Sequence, residues 1–283
     1  MRKLRTTRVI AVAAVLLGLL VGAMPASAAY GGGVTPMIVG GDDATTPYSG
    51  MASLQVRLPD NTFSHICGGI MVHPWYVVTA AHCVTSFPSG APLDASQFQV
   101  RLGSLNRTSG GTVAAVASVL PHAEWDWGAN GGRQADLAML KLGTPVLNVP
   151  FFIAATADAD AVTRLIGWGS TSPNASQPFP TTLQQLDSSI LPDSACAMGG
   201  IGDGEFCVDS PGGTSGICVG DSGGPALQQV VPGFWMVVGM TSRGMSDATA
   251  CGQKPIVFTD LTSYQLWIYY VIATGTVPPP GTF

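Results

Sequence analysis

An all-β fold is predicted, built as two packed β units of similar size and finished by one C-terminal helix. Three observations carry this expectation. Short apolar and β-branched runs recur between clusters of turn residues, and no helical periodicity appears before residue 263. The runs fall into two sets on either side of Pro145–Pro150, a stretch that resembles a linker. Beyond them, Leu266, Trp267, Tyr270 and Val271 recur at helical spacing.

Taken in order, the chain opens with Arg2, Lys3, Arg5 and Arg8, an apolar run from Val9 to Met24, and Ala26-Ser27-Ala28. That is the pattern of a secretory signal peptide over residues 1–28, with a small-residue cleavage site. A membrane anchor is the competing reading, but the run is short for a span and ends at Pro25. Residues 29–37 are Gly-rich and lack periodicity, which fits a linker or a short propeptide. The first strand set is Ala52–Leu58, Gly69–Thr79, Phe98–Leu105, Thr112–Leu120 and Ala138–Leu142. The second is Val162–Trp168, Thr182–Leu191, Gly204–Val208, Gly223–Gln228, Phe234–Ser242 and Lys254–Leu261. A helix is expected over 263–273, capped by Thr262 or Ser263, and the Pro-rich tail 274–283 is expected to be extended or disordered.

From Ile38 onward the chain holds all 17 acidic residues but only 8 of the 12 basic ones, a net charge of −9. Such a surface excludes nucleic acid and anionic membranes as natural partners. The whole reads as a secreted, extracellular monomer. Six cysteines in a secreted chain suggest three disulfides, which counting alone allows in about 15 arrangements. No Cys-x-x-Cys pair occurs, and His82-Cys83 is the only His/Cys adjacency, so neither zinc nor any other metal or cofactor is expected.

Gly220-Asp221-Ser222-Gly223-Gly224-Pro225 carries the strongest chemical signal. Glycines let the backbone turn sharply and leave successive N–H groups free to converge on one small concavity. A serine hydroxyl between them is a weak nucleophile unless a base removes its proton, so the stretch calls for a histidine and an acid to orient it. Of the four histidines, His65, His73, His82 and His122, only His82 stands at a strand end beside a cysteine, in Thr79-Ala80-Ala81-His82-Cys83. Asp136, in Ala135-Asp136-Leu137-Ala138-Met139-Leu140, stands at the head of an apolar strand, where a buried charge needs a partner.

In this order, Thr79–Cys83, Asp136–Leu140 and Gly220–Pro225 resemble the three active-site motifs of the chymotrypsin/trypsin family of serine proteases. Ile38-Val39-Gly40-Gly41 resembles that family's mature N-terminus, and Cys67-Gly68-Gly69, Gly167-Trp168-Gly169 and the final helix with Trp267 match as well, so the similarity covers 38–273. It implies two packed six-stranded antiparallel β-barrels, about 38–149 and about 150–262. It also implies Ser222 as nucleophile, His82 as base, Asp136 as its orienter, and Ser242 as a hydroxyl hydrogen-bonded to that aspartate. The N–H groups of Gly220 and Ser222 would form the oxyanion hole. The disulfides implied are Cys67–Cys83, Cys196–Cys207 and Cys218–Cys251.

By the same resemblance, cleavage at Met37–Ile38 would free an ammonium on Ile38 to pair with Asp221 beside the nucleophile. Met37 departs from the basic residue that trypsin-like activation uses, which leaves an activating protease or self-cleavage open. The implied substrate pocket comprises Gly216, Ile217, Val219, Ser242, Arg243, Gly244 and Ile256. Gly216 stands where trypsins carry an aspartate, so Lys and Arg have no counter-charge there, and Ile256 replaces a usual glycine. A shallow apolar pocket for Ala, Val, Leu or Met is expected; Gly216 offsets part of the lost depth and leaves a chymotrypsin-like preference open. Arg243 replaces the family's usual tryptophan, either to favour acidic residues along the substrate or as a solvated charge.

The function expected is thus a secreted endopeptidase made as a zymogen, with protein or peptide substrates and protein inhibitors as partners. The alternative is a catalytically silent relative acting as a binding protein; silent members lose one of the three residues, and this chain keeps His82, Asp136 and Ser222. Cleavage after acidic residues would require basic groups that Gly216, Ile217 and Ile256 do not supply. Asn106-Arg-Thr and Asn174-Ala-Ser are glycosylation sequons that matter only in a glycosylating host.

Overall fold

The computed structural model describes residues 38–128, 135–175 and 178–283. The expected signal peptide and propeptide, 1–37, lie outside the described residues.

Six strands close into the first barrel: β2 (Met51–Arg57), β3 (Phe63–His73), β4 (Tyr76–Thr79), β5 (Phe98–Leu102), β6 (Thr112–Pro121) and β7 (Ala138–Leu142), ordered β2-β3-β4-β7-β6-β5 with antiparallel ladders throughout. Alternation along β5 (Phe98, Val100 and Leu102 buried, Gln99 and Arg101 half-exposed) shows how a period of two directs side chains to the barrel interior. Two strand expectations need correction here. The run Gly69–Thr79 is not one strand: it breaks at Pro74-Trp75 into the β3–β4 hairpin, and β3 begins six residues earlier, at Phe63. The Phe98 strand stops at Leu102, because Gly103 turns the chain at φ +69°.

The second unit is one curled antiparallel sheet of eight strands. To β1 (Asp42–Asp43) it adds β8 (Thr163–Gly167), β9 (Gln184–Ser188), β10 (Ile190–Leu191), β11 (Glu205–Val208), β12 (Pro225–Val231), β13 (Phe234–Gly244) and β14 (Ile256–Asp260), ordered β1-β9-β8-β12-β13-β14-β11-β10. It does not close by a ladder as the first does. The segment expected as one strand over 182–191 breaks at Ser189, whose carbonyl accepts the Asp209 N–H, so β9 faces β8 while β10 faces β11. The two parts of this bent segment thereby lie near opposite edges of the sheet, β9 next to the edge strand β1 and β10 as the other edge. Leu165, Ala226 and Val238 fill its interior with the stacked rings of Phe206 and Phe258, 5.8 Å apart. This is the trypsin-like double-barrel architecture, with a closed barrel and a curled sheet as its halves.

The helix α1 (Gln265–Thr274) buries Trp267, Ile268 and Val271 into the first barrel's core cluster; Leu266, expected on the packed face, points to solvent. Neither Thr262 nor Ser263 caps it, because Asp260 takes both hydroxyls. Gly275, at φ +71°, ends it. The tail is laid against the body, with Gly281 N–H on Glu124 Oε1 at 2.9 Å and the Phe283 ring 5.7 Å from Tyr270. Among the described residues no helix is long and apolar enough to cross a membrane.

Candidate active site

The two units meet at a buried carboxylate. Asp136 lies just before β7, and its exposed surface is nil. Oδ1 accepts the His82 backbone N–H at 3.0 Å, and Oδ2 accepts both the His82 imidazole at Nδ1 (2.8 Å) and the Ser242 hydroxyl (2.6 Å). His82 comes from a single 3-10 turn, Ala81–Cys83, directly after β4; Ser242 comes from β13 of the other unit. Burial alone would raise the Asp136 carboxyl, but the His82 imidazole and the donors from His82 and Ser242 outweigh it and hold the group below its ordinary value. With Nδ1 bonded to a carboxylate, that nitrogen carries a proton and Nε2 is left as the basic one.

The loop Cys218–Gly224 faces this pair across the cleft. Its Ser222 carbonyl accepts the Gly68 N–H at 2.7 Å and lies 4.0 Å from the sulfur of Cys83, the residue after His82. The Ser222 hydroxyl makes no hydrogen bond to His82 among the described residues; such contacts often tighten only once substrate is bound. The N–H groups of Asp221, Gly223 and Gly224 go to Cys218, Thr241 and Asp221 carbonyls. Those of Gly220 and Ser222 have no acceptor among the described residues, so the loop offers two adjacent donors beside one hydroxyl. The turn depends on Gly220 at φ +98° and Gly223 at φ +75°; a Cβ on Gly223 would sit 2.4 Å from Thr79 Oγ1.

Three disulfides, Cys67–Cys83, Cys196–Cys207 and Cys218–Cys251, brace the surroundings. Cys67, His82 and Cys83 cluster, but both sulfurs of that group are tied up in the Cys67–Cys83 bond and carry no thiolate for a metal.

A second buried carboxylate, Asp221, is enclosed by the loop itself. It accepts Gly169 N–H at 2.7 Å and Cys218 N–H at 3.1 Å but has no cationic partner among the described residues, and burial pushes it up to about 7. Gly167 and Gly169 leave room for it: a Cβ on either would come within 2.3 Å of a carboxylate oxygen. Ile38 is fully buried, and Val39 pairs with Gly216, whose N–H meets the Val39 carbonyl at 2.8 Å. No ion pair joins Ile38 to Asp221 in this continuous chain.

Beside Ser222 opens a cavity of about 480 Å³ lined by Ile217, Val219, Ser242, Gly244 and Ile256 among others. Of the expected pocket residues only Gly216 is missing from the lining; it lies against Ser210 and the Val39 strand. Ile256 is the cross-strand partner of Gly244, and a Cβ on Gly244 would be 3.8 Å from its Cδ1. Arg243 lines the cavity, but both expectations for its charge fail: the guanidinium is 8% exposed and forks onto Glu205 at 2.5 and 2.7 Å.

The profile of the trypsin family matches residues 38–268. The chain belongs to the trypsin family. Two chymotrypsin-C proteins, from Mus musculus and Rattus norvegicus, are each 31% identical over 252 residues, spanning 82% of this chain and 87% of theirs. As a member of the trypsin family the protein is a serine endopeptidase, a hydrolase acting on protein or peptide substrates.

One residue packed against the Ser222 loop is absent from the sequence reading. His65 lies buried between Ser53 Oγ (2.8 Å from Nδ1) and the Gly220 carbonyl (3.0 Å from Nε2). The carbonyl only accepts, so Nε2 carries the proton and the ring is neutral; burial, against the pull of that carbonyl, lowers it to about 4. It anchors the Gly220–Asp221 peptide, which lies between the residues whose N–H groups, Gly220 and Ser222, have no acceptor among the described residues.

Proposed function

We propose that the protein cleaves peptide bonds through an acyl-enzyme on Ser222. The observation that carries this reading is the Asp136 carboxylate, which fixes the His82 tautomer so that a basic Nε2 is available beside the Ser222 loop. In this reading His82 takes the Ser222 proton as the hydroxyl attacks the scissile carbonyl, then delivers it to the leaving amine. Asp136 holds the imidazole and stabilises the imidazolium. The Gly220 and Ser222 N–H groups receive the oxyanion; removing one such donor costs about 10²–10³-fold in kcat in related chemistry.

The protein is made with a signal peptide over 1–28, secreted, and activated by cleavage at Met37–Ile38. Two features support activation. Asp221 is buried without a counter-ion in the uncut chain, and Ile38 already fills the second core at φ +24°, a backbone state a β-branched residue avoids and a cut chain no longer has to adopt. Released, the Ile38 ammonium pairs with Asp221. Ile256 across from Gly244 supports a pocket for small to medium apolar side chains, Met included, so processed enzyme cuts its own precursor after Met37. The processed chain works as a monomer open to protein inhibitors.

A fluorophosphonate probe tests the mechanism. It labels Ser222 of the processed protein and leaves Ser222→Ala unlabelled and without peptidase activity, though folded. Turnover retained in Ser222→Ala would rule the mechanism out.

A further inference from the structure

Arg243 occupies the position after Ser242, and its guanidinium is fully engaged. Nε donates to the Gly199 carbonyl at 2.7 Å, Nη2 to the Gly200 carbonyl at 2.7 Å and to Glu205 Oε2 at 2.7 Å, and Nη1 to Glu205 Oε1 at 2.5 Å and to Ser242 Oγ at 3.3 Å. All five guanidinium protons therefore have acceptors. Glu205, on β11, is 2% exposed at its side chain and also accepts the Gly202 N–H at 2.9 Å. An ion pair so buried and so completely hydrogen-bonded is a built feature rather than an incidental surface contact.

We propose that Arg243 is a positioning residue for the catalytic carboxylate, acting through Ser242. A serine hydroxyl has one proton and two lone pairs. Arg243 can only donate, so it takes a lone pair of Ser242 Oγ; Asp136 as a carboxylate can only accept, so it takes the proton. The direction of the chain Arg243→Ser242→Asp136←His82 is fixed by these two ends. A cationic donor polarises the hydroxyl and strengthens the 2.6 Å bond to Asp136, while Glu205 balances the added charge. The inference rests on the proposed roles of His82 and Asp136.

The charged and titratable groups facing this chain are few. His82 comes from the turn after β4, Asp136 from before β7, Arg243 from β13 and Glu205 from β11. Tyr264, ahead of α1, feels Glu205; burial first, then the Glu205, Glu124 and Asp260 carboxylates push its phenol up to about 12, so it is neutral throughout the working range.

Two variants of the processed enzyme test the proposal, read by the pH dependence of kcat/KM and of fluorophosphonate labelling. Glu205→Gln leaves the guanidinium unbalanced, which disfavours the imidazolium and moves the acid limb to lower pH by about half a unit. Arg243→Met with Glu205→Met removes both charges and leaves no orphaned ion, a replacement that folded proteins tolerate. It withdraws the nearer positive charge, so the acid limb moves the other way, and kcat falls about 3- to 10-fold. A role in folding, or in lining the cavity, does not by itself predict opposite shifts of the limb. If both folded variants keep the parental limb, or both move it the same way, the inference is wrong while the reading of the site stands. If the parental enzyme does not label at Ser222, the reading of the site falls and the inference with it.

Discussion

Asp136 and Asp221 are both completely buried carboxylates within one active-site region, yet they sit on opposite sides of their ordinary value. Asp136 receives three donors, one from an imidazole, and is held low; Asp221 receives two backbone N–H groups and no cation, and rises to about 7. Desolvation is common to both. The difference lies in the partners: Asp136 receives a donor from an imidazole, whereas Asp221 receives backbone N–H groups alone among the described residues. Under the activation proposed above, Asp136 keeps its partners and Asp221 gains a cation when the chain is cut.

The largest effect is expected from breaking the first side of this comparison. Asp136→Asn places an amide where the carboxylate accepted, and an amide can present N–H₂ to His82 and turn the imidazole to the wrong tautomer. In a trypsin-like enzyme this change costs about 10⁴-fold in kcat with the fold intact. Steady-state kinetics of processed Asp136→Asn, beside its thermal melt, measures it. A loss below about tenfold would show that Asp136 does not set the base.

The second side is sharpened by linkage. A carboxyl whose folded value lies above its unfolded value favours the fold fully below the unfolded value near 3.8, and that contribution is lost as pH rises through about 7. The uncut chain should therefore lose stability at this group between about pH 4 and 7, by a few kcal/mol. Uncut Ser222→Ala and Ser222→Ala/Asp221→Asn, melted at both pH values, isolate the term, since other titrating groups cancel in the difference. The asparagine form should gain relative to its parent as pH rises. Cutting at Met37–Ile38 should erase that gain, because the ammonium then stabilises the ionised acid. An unchanged difference between pH 4 and 7 would remove the argument for activation.

Legibility from sequence follows how local the physical cause is. Ser222, His82 and Asp136 each carry a local signature: glycines that free backbone donors, a strand end beside a cysteine, and a carboxylate heading an apolar strand. The disulfides and the two β units were accessible by resemblance and spacing. What escaped depends on pairings at long separation. Arg243 and Glu205 are 38 residues apart, and neither is unusual alone. His65 matters because it meets the Gly220 carbonyl 155 residues away. Gly167 and Gly169 could be matched to a motif, but their reason, room for the Asp221 carboxylate, exists only in three dimensions. The helix start was misjudged because Asp260 competes successfully for both candidate capping hydroxyls. The strand 182–191 hides its break because nothing in Ser188-Ser189-Ile190 signals a change of partner.

The smallest predicted effect concerns selectivity and leaves both carboxylates untouched. Ile256 lines the cavity from β14 beside its cross-strand partner Gly244 on β13, so its branched side chain takes up space that a substrate ring would need. Ile256→Gly deletes that obstruction without adding charge. Differences of a few methylenes in an apolar pocket are worth about 1–3 kcal/mol, or about 10- to 200-fold in kcat/KM. Processed Ile256→Gly should shift by that order toward Phe and Tyr at the cleaved position and away from Ala and Val, with the pH profile unmoved. Peptide-library profiling of both enzymes measures the ratio directly. If the parent already prefers aromatic residues and the variant does not change the ratio, Ile256 is only part of the wall and does not set the depth of this pocket.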